Sequence, residues 1–367
     1  MKDKSSRREF LSAGLSVTAA VAGLCGLGWV PACRIKKNPE PKQDSPQART
    51  TTPSQQQVEG SFVPAYLGLR ETGELRKRGE ALWAIMESCR LCPRECGANR
   101  LEGEHGFCQS TSQLVISSFH PHFGEERPLV GRGGSGTVFF TNCGLRCVFC
   151  INYEINHLGQ GDPRSLDDLA QMMISLQQMG CHNINVVTPT HYSAHIVLAL
   201  DKAAARGLRL PVVYNTCGWE RVEILRLLDG IVDIYLPDFK YADGQMAARF
   251  SSGAKDYPEG TKAAILEMHR QVGVARPERD GLIRRGLMIR HLVLPNRVAG
   301  TEKVMEWIAT HLPKDTYVNI MSQYTPVYRA FEFPELSRRI TREEYEEAIQ
   351  WARKAGLTNL DIQGWRG

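Results

Sequence analysis

Past its first sixty residues this chain carries almost no net charge. Of the formal +5, the segment 1–60 supplies +4, with nine Lys and Arg against five Asp and Glu. A near-neutral body lacks the basic footprint by which nucleic-acid binders neutralise phosphates, so a nucleic-acid partner is not expected. Also missing is the even scatter of cysteines that staples small secreted domains. The eleven cysteines are instead bunched in two short groups, Cys89–Cys108 and Cys143–Cys150, with Cys25, Cys33, Cys181 and Cys217 standing alone. Short-range cysteine groups on a chain of 367 residues favour metal or iron–sulfur ligation over a disulfide framework.

What is present begins with an address. Ser6–Leu11 pairs Arg7 with Arg8 and precedes an uncharged Ala-, Gly- and Leu-rich run from Leu11 to Val30. This reads as a twin-arginine export signal over 1–33. Val30–Cys33 has the look of a lipoprotein cleavage box, although Pro31 is an unusual occupant. The run is also long enough to serve as a membrane tether. Residues 34–60, with Pro39, Pro41, Pro46, Pro53 and Gln55–Gln57, read as a disordered linker. The signal points to a periplasmic or membrane-anchored location.

From about residue 137 the chain alternates short β-branched runs with amphipathic stretches. Strands are expected at Thr137–Thr141, Asn183–Thr188, Pro211–Asn215, Ile231–Leu236, Leu287–Leu294 and Thr316–Met321. Helices are expected near 165–179, 193–206, 219–228, 259–272, 301–311 and 342–355, two of them opened by Ser165-x-x-Asp168 and Thr341-x-x-Glu344. Strands separated by helices imply a parallel sheet. The expected fold is α/β, a partial (β/α)6 TIM-type barrel over 131–367 behind a Cys-rich metal-binding extension over 61–130. In such folds chemistry gathers where strands end. Every expected strand does run into polar or special residues: Asn142–Cys150, Thr188–His191, Asn215–Gly218, Pro237–Lys240, His291 with Asn296, and Gln323–Tyr324.

Cys143-x3-Cys147-x2-Cys150 places three thiolates within eight residues, enough to hold three irons of a cubane and leave the fourth open. Directly after the first strand of a six-fold array, and with Phe149 before the last cysteine, this motif strongly resembles that of the radical S-adenosylmethionine (SAM) superfamily. That resemblance implies a [4Fe–4S] cluster whose open iron chelates SAM, and a 5′-deoxyadenosyl radical that abstracts hydrogen. The protein's share of such work is binding, orientation and tuning.

Residues from roughly 85 to 355 further resemble uncharacterised iron–sulfur proteins grouped beside pyruvate formate-lyase-activating enzymes. The stretches that carry this are Cys89–Gly97, Gly131–Gly136, Gly180–Asn185, Val187–His191, Asp233–Lys240 and Ile289–Pro295. Activases are similar in Asn215–Gly218 and Asp238–Lys240. The resemblance implies an enzyme, and cofactor contacts from Thr188, Asn215, Asp238, Lys240 and His291. It also implies activation of a glycyl-radical enzyme partner, fed by a low-potential reductant such as flavodoxin or ferredoxin. Such cofactor supply favours the cytoplasm, against the export signal. The superfamily's Gly-Gly-Glu stretch is absent; Thr188-Pro189-Thr190 stands in its place.

Cys89, Cys92, Cys96 and Cys108 form a second thiol set, with His105 as a spare ligand. Four soft ligands suit structural zinc and a second iron–sulfur cluster equally, and two disulfides are the bland reading. Arg284, Arg285 and Arg290 read as a solvated edge or as binders of a carboxylate or phosphate. Two further functions stay open: radical modification of another peptide or small molecule, and a non-catalytic iron–sulfur electron carrier. A carrier would need every iron closed by protein.

Overall fold

The computed structural model describes residues 62–365. The export signal expected at 1–33 and the linker expected at 34–60 lie outside that range. No helix among the described residues is long and apolar enough to cross a membrane.

Among the described residues nine strands form one sheet. They are β1 (Leu114–His122), β2 (Ser135–Phe140), β3 (Asp162–Arg164), β4 (Ile184–Val187), β5 (Val212–Thr216), β6 (Ile234–Pro237), β7 (Gly286–Leu292), β8 (Tyr317–Met321) and β9 (Leu360–Ile362). Their spatial order is β3-β1-β2-β4-β5-β6-β7-β8-β9, with β1 antiparallel to both β2 and β3 and every other pair parallel. All six expected strands are there, in chain order. The sheet is open: among the described residues no ladder joins its two edges.

β4, β5, β6 and β8 are buried along their whole length, as strands covered on both faces must be. The covering helices follow their sequence signals. Leu166–Gln178 starts at Ser165, whose hydroxyl accepts from the Asp168 amide while Asp168 accepts from the Ser165 amide. Arg342–Lys354 starts at Thr341 with Glu344 in the same reciprocal arrangement.

Two helices, Tyr66–Glu71 and Glu74–Ala84, carry little periodic signal, yet they lock the amino-terminal segment to the sheet. Tyr66 Oη donates to the Leu210 carbonyl at 3.1 Å, and the Ala65 amide to Asp233 Oδ1 at 3.0 Å. Glu74–Ala84 packs on Ser193–Ala205 so closely that a Cβ at Gly79 would meet Leu198 at 2.7 Å. With β1 paired to β2, residues 62–130 are built onto the sheet.

One backbone crossing fixes the site. Gly218, just past β5, has φ +83°, and a Cβ there would stand 2.1 Å from the Asp238 carbonyl oxygen. Only glycine lets the loops after β5 and β6 touch. Gly218→Ala is expected to lower the unfolding free energy by about 1–3 kcal/mol. Gly68→Ala, in helix Tyr66–Glu71 with nothing within 4 Å of its Cβ position, is expected to leave stability within about 0.5 kcal/mol or raise it. Urea unfolding of the pair checks this; equal effects would contradict it.

Candidate functional site

The carboxyl ends of β2 and β4–β8 surround one cavity of about 360 Å³. Its walls bring together Cys143, Cys147 and Cys150 with Thr188, Asn215, Cys217, Asp238 and Lys240. The loop after β2 makes this possible by two left-handed residues, Asn142 (φ +69°) and Arg146 (φ +52°), which turn the chain back within a few residues. Cross-chain bonds then pin it: the Val148 amide to the Phe250 carbonyl at 2.9 Å, and the Arg329 amide to the Val148 carbonyl at 3.0 Å. Phe149 is buried edge-on against Tyr241 and Tyr324.

Each sulfur has its own partner. Ser251 Oγ donates to Cys147 Sγ at 3.2 Å, and Asn156 Nδ2 to Cys150 Sγ at 3.4 Å. A hydrogen bond from the Cys217 thiol lowers the pKa of Cys143 despite its burial, and raises that of Cys217 in return. Burial pushes the Cys147 thiol up to about 12, with the charge of Lys240 pulling the other way. Thiols held neutral by burial become strong ligands once a cationic centre replaces their protons.

A chain of buried charges lines the same cavity. Arg290 Nε donates to Asp238 Oδ1 at 2.8 Å and its Nη2 to Asn215 Oδ1 at 2.5 Å. Lys240 Nζ donates to Asp238 Oδ2 at 2.6 Å, and Asn215 Nδ2 to Glu125 Oε1 at 3.3 Å. Burial works against the ionised form of Asp238, but Arg290 and Lys240 outweigh it and hold its pKa below the usual value. Arg290 therefore belongs to the site and is no solvated edge. Arg284, by contrast, is tied into surface pairs with Glu278 and Asp280.

His291 corrects an expectation. It is fully buried, with Nδ1 at 2.6 Å from the Phe239 carbonyl and Nε2 at 2.9 Å from Thr301 Oγ1. Side chains alternate along a strand, so Arg290 and Leu292 face the cavity and His291 faces the helix layer behind. Both its nitrogens are used, and burial lowers its pKa to about 4. His191 is likewise a buried structural residue, with Nε2 at 2.8 Å from the Thr141 carbonyl.

Beside the Thr188–Thr190 stretch lies a buried carboxylate. Glu220, in the loop after β5, accepts from Thr190 Oγ1 at 2.6 Å and from Thr216 Oγ1, and its Oε2 has no partner among the described residues. Sequence spacing gave no signal for it, nor for Glu125 and Ser251, which come from other loops, nor for Asn156, which closes the short helix after the thiol loop.

The second thiol set stands against the first. Cys92 and Cys143 line one small cleft, and Cys92 Sγ lies 3.4 Å from the Cβ position of Gly144. All nine cysteines among the described residues are free, so the disulfide reading is not realised. His105, the expected spare ligand, is exposed and has its Nδ1 at 3.0 Å from the Gln109 carbonyl.

Residues 137–275 match the family model of the Radical SAM superfamily. An uncharacterized protein of Methanocaldococcus jannaschii is 34% identical over 291 residues, spanning 76% of this chain and 77% of that protein. Among solved structures, a radical SAM methyltransferase from Sphaerobacter thermophilus aligns with TM-score 0.43 at 14% identity, over 83% of this chain and 94% of that one. SuiB of Streptococcus suis, bound to S-adenosylmethionine, aligns with TM-score 0.41 at 11% identity, over 60% and 48%.

Glu220 offers a titration test. Burial raises its pKa to about 7 from 4.5, against the two threonine hydrogen bonds. A raised folded-state pKa means that its contribution is fully present below pH 4.5 and is lost as pH rises through 7. Glu220→Gln keeps the acceptor and removes the ionisation. In metal-free protein its stability relative to wild type is expected to improve by about 1–3 kcal/mol between pH 5 and 8.5. A difference that stays flat with pH would contradict the assignment.

Proposed function

The chain belongs to the radical SAM superfamily, and from that premise we propose that Cys143, Cys147 and Cys150 hold its [4Fe–4S] cluster beside bound SAM. The observation that carries the reading is the presence of all three thiols in one cavity with the Asn215–Asp238–Lys240–Arg290 network. The residues fit the group: soft thiol donors from a single loop, hydrogen-bond donors on two of the sulfurs, and a buried lysine to offset negative charge. No fourth ligand belongs to the loop motif, which leaves one iron for SAM and disfavours a simple electron carrier. When bound, the cluster supplies the electron that cleaves SAM and yields a hydrogen-abstracting radical.

The chain's own residues bind and orient. Asn215, at the end of β5, is held by Arg290 and Glu125 in position for the SAM ribose. Lys240, with Arg290 behind it, presents positive charge for a carboxylate on SAM or substrate. Thr188, in a left-handed turn (φ +60°) with its amide bonded to the Asn215 carbonyl at 3.0 Å, occupies the place of the missing Gly-Gly-Glu. It offers a hydroxyl and a carbonyl to the SAM amino group.

Finer readings rest on sequence. Activation of a glycyl-radical enzyme, with hydrogen taken from a backbone glycine, is supported by the Asn215–Gly218 and Asp238–Lys240 stretches. A partial-barrel reading of the six strands fits their shared cavity. A flavodoxin or ferredoxin would supply electrons, and the Cys89–Cys108 set would hold zinc or a second cluster.

The test uses anaerobically reconstituted protein, dithionite and SAM, with 5′-deoxyadenosine measured by chromatography. Wild type is expected to produce it, and Cys147→Ala to lose production by about 100-fold or more. A fully loaded cluster that leaves SAM intact would overturn the enzyme reading.

A further inference from the structure

Resting on the superfamily reading above, we propose that Arg94 is a positioning residue for the Cys143–Cys150 cluster. It holds the carbonyls of Gly144, Leu145, Ser251 and Ser252, aims hydrogen-bond donors at Cys143 and Cys147, and so makes the cluster easier to reduce.

Arg94 belongs to the amino-terminal extension, yet its guanidinium reaches into two other loops. Nε donates to the Gly144 carbonyl at 2.9 Å and Nη2 to the Leu145 carbonyl at 3.5 Å. Nη1 donates to the Ser252 carbonyl at 2.8 Å, and Nη2 also to that of Ser251 at 3.0 Å. All four acceptors are backbone carbonyls, and no carboxylate among the described residues takes a hydrogen bond from it. The guanidinium carbon lies 4.1 Å from the ring centre of Phe107 and 4.8 Å from that of Trp219. A rigid planar fork can hold carbonyls on two loops at once, which the point charge of a lysine cannot.

The consequence lies at the other end of those peptide groups. The carbonyl and the amide of a trans peptide point in opposite directions. The Gly144 and Leu145 carbonyls are turned to Arg94, and the amides of the same two peptides, those of Leu145 and Arg146, donate to Cys143 Sγ. A cation at the carbonyl end polarises each peptide and strengthens its amide as a donor. In the second loop Arg94 fixes the main chain of Ser251, whose hydroxyl donates to Cys147 Sγ at 3.2 Å.

The backbone around these contacts needs such a clamp. Arg146 and Ser252 are left-handed without being glycine, at φ +52° and +51°. Conformations of this kind persist only where the surroundings fix them. Ser252 Oγ donates to the Arg146 carbonyl at 3.2 Å, and Arg94 ties the same two loops together through their neighbouring carbonyls.

Hydrogen bonds to ligating sulfurs and nearby positive charge favour the more negative, reduced state of an iron–sulfur cluster, which raises its potential. Arg94 is not part of the cavity lining, so it acts through two peptide groups and one hydroxyl.

The test is a redox titration, followed by low-temperature EPR, of full-length, anaerobically reconstituted wild type, Arg94→Gln and Arg94→Lys. The signal followed is the one that SAM changes, which separates it from any centre on the Cys89–Cys108 set. At the wild-type midpoint the ratio of reduced to oxidised cluster is expected to fall about tenfold in Arg94→Gln, or about 59 mV for one electron. Arg94→Lys keeps the charge without the fork and is expected to fall with it. A lysine variant that titrates with wild type would assign the effect to charge alone and overturn the proposal, as would equal midpoints in all three. If the Arg94 variants load no cluster, Phe107→Ala decides, since it loosens the stacking on Arg94 from an exposed position. A fall in the same ratio supports the proposal, and the wild-type ratio overturns it. Should no wild-type signal respond to SAM, the superfamily reading fails and this inference with it. A SAM-responsive signal with unchanged midpoints sinks this inference alone.

Discussion

The in-register parallel ladder is the constraint from which the rest follows. Val187 pairs with Asn215, Asn215 with Leu236, Thr216 with Pro237 and Arg290 with Asn319, so the strands of the inner sheet end at matched heights. Whatever residue follows each strand is delivered to the same side. The thiol loop after β2, the Thr188 turn after β4, the Cys217–Gly218 turn after β5 and Asp238–Lys240 after β6 meet for that reason, though they span almost a hundred residues of chain. The price of that convergence is backbone crowding, met by Gly218 and by a few residues in left-handed conformations.

Charge is the second constraint. Asp238, Lys240, Arg290 and Glu125 are mostly buried, and such groups persist only when paired. They pair with one another through Asn215, forming a rigid rim whose polarity faces the thiols. Arg100 and Arg94 play the corresponding part beside the second thiol set, one fully buried against Cys89, the other bridging the two cysteine loops through carbonyls. Buried cations of this kind favour negative charge nearby in a low-dielectric interior.

Much of this was legible in the sequence, and the failures have physical causes. Near-continuous apolar runs such as Ile184–Val187 and Tyr317–Met321 announce buried parallel strands, and two capping boxes mark helix starts. The three closely spaced cysteines that follow the first expected strand do meet in one cavity. β1, β3 and β9 went unread: β1 mixes Ser, His and Pro on a half-exposed edge, while β3 and β9 are only three residues long. His291 was misplaced because proximity to a strand end says nothing about which face a side chain takes; one step along β7 puts Arg290 in the cavity instead. Glu125, Glu220 and Ser251 come from separate loops, and only tertiary structure joins them to the cysteines.

The central claim is that three thiols leave one iron of a cubane open to SAM. Low-temperature EPR of the dithionite-reduced, anaerobically reconstituted protein with and without SAM tests it most directly. The account predicts that SAM changes the spectrum of the loop cluster, since a ligand binding at iron alters its electronic environment. A cluster spectrum untouched by saturating SAM would contradict it.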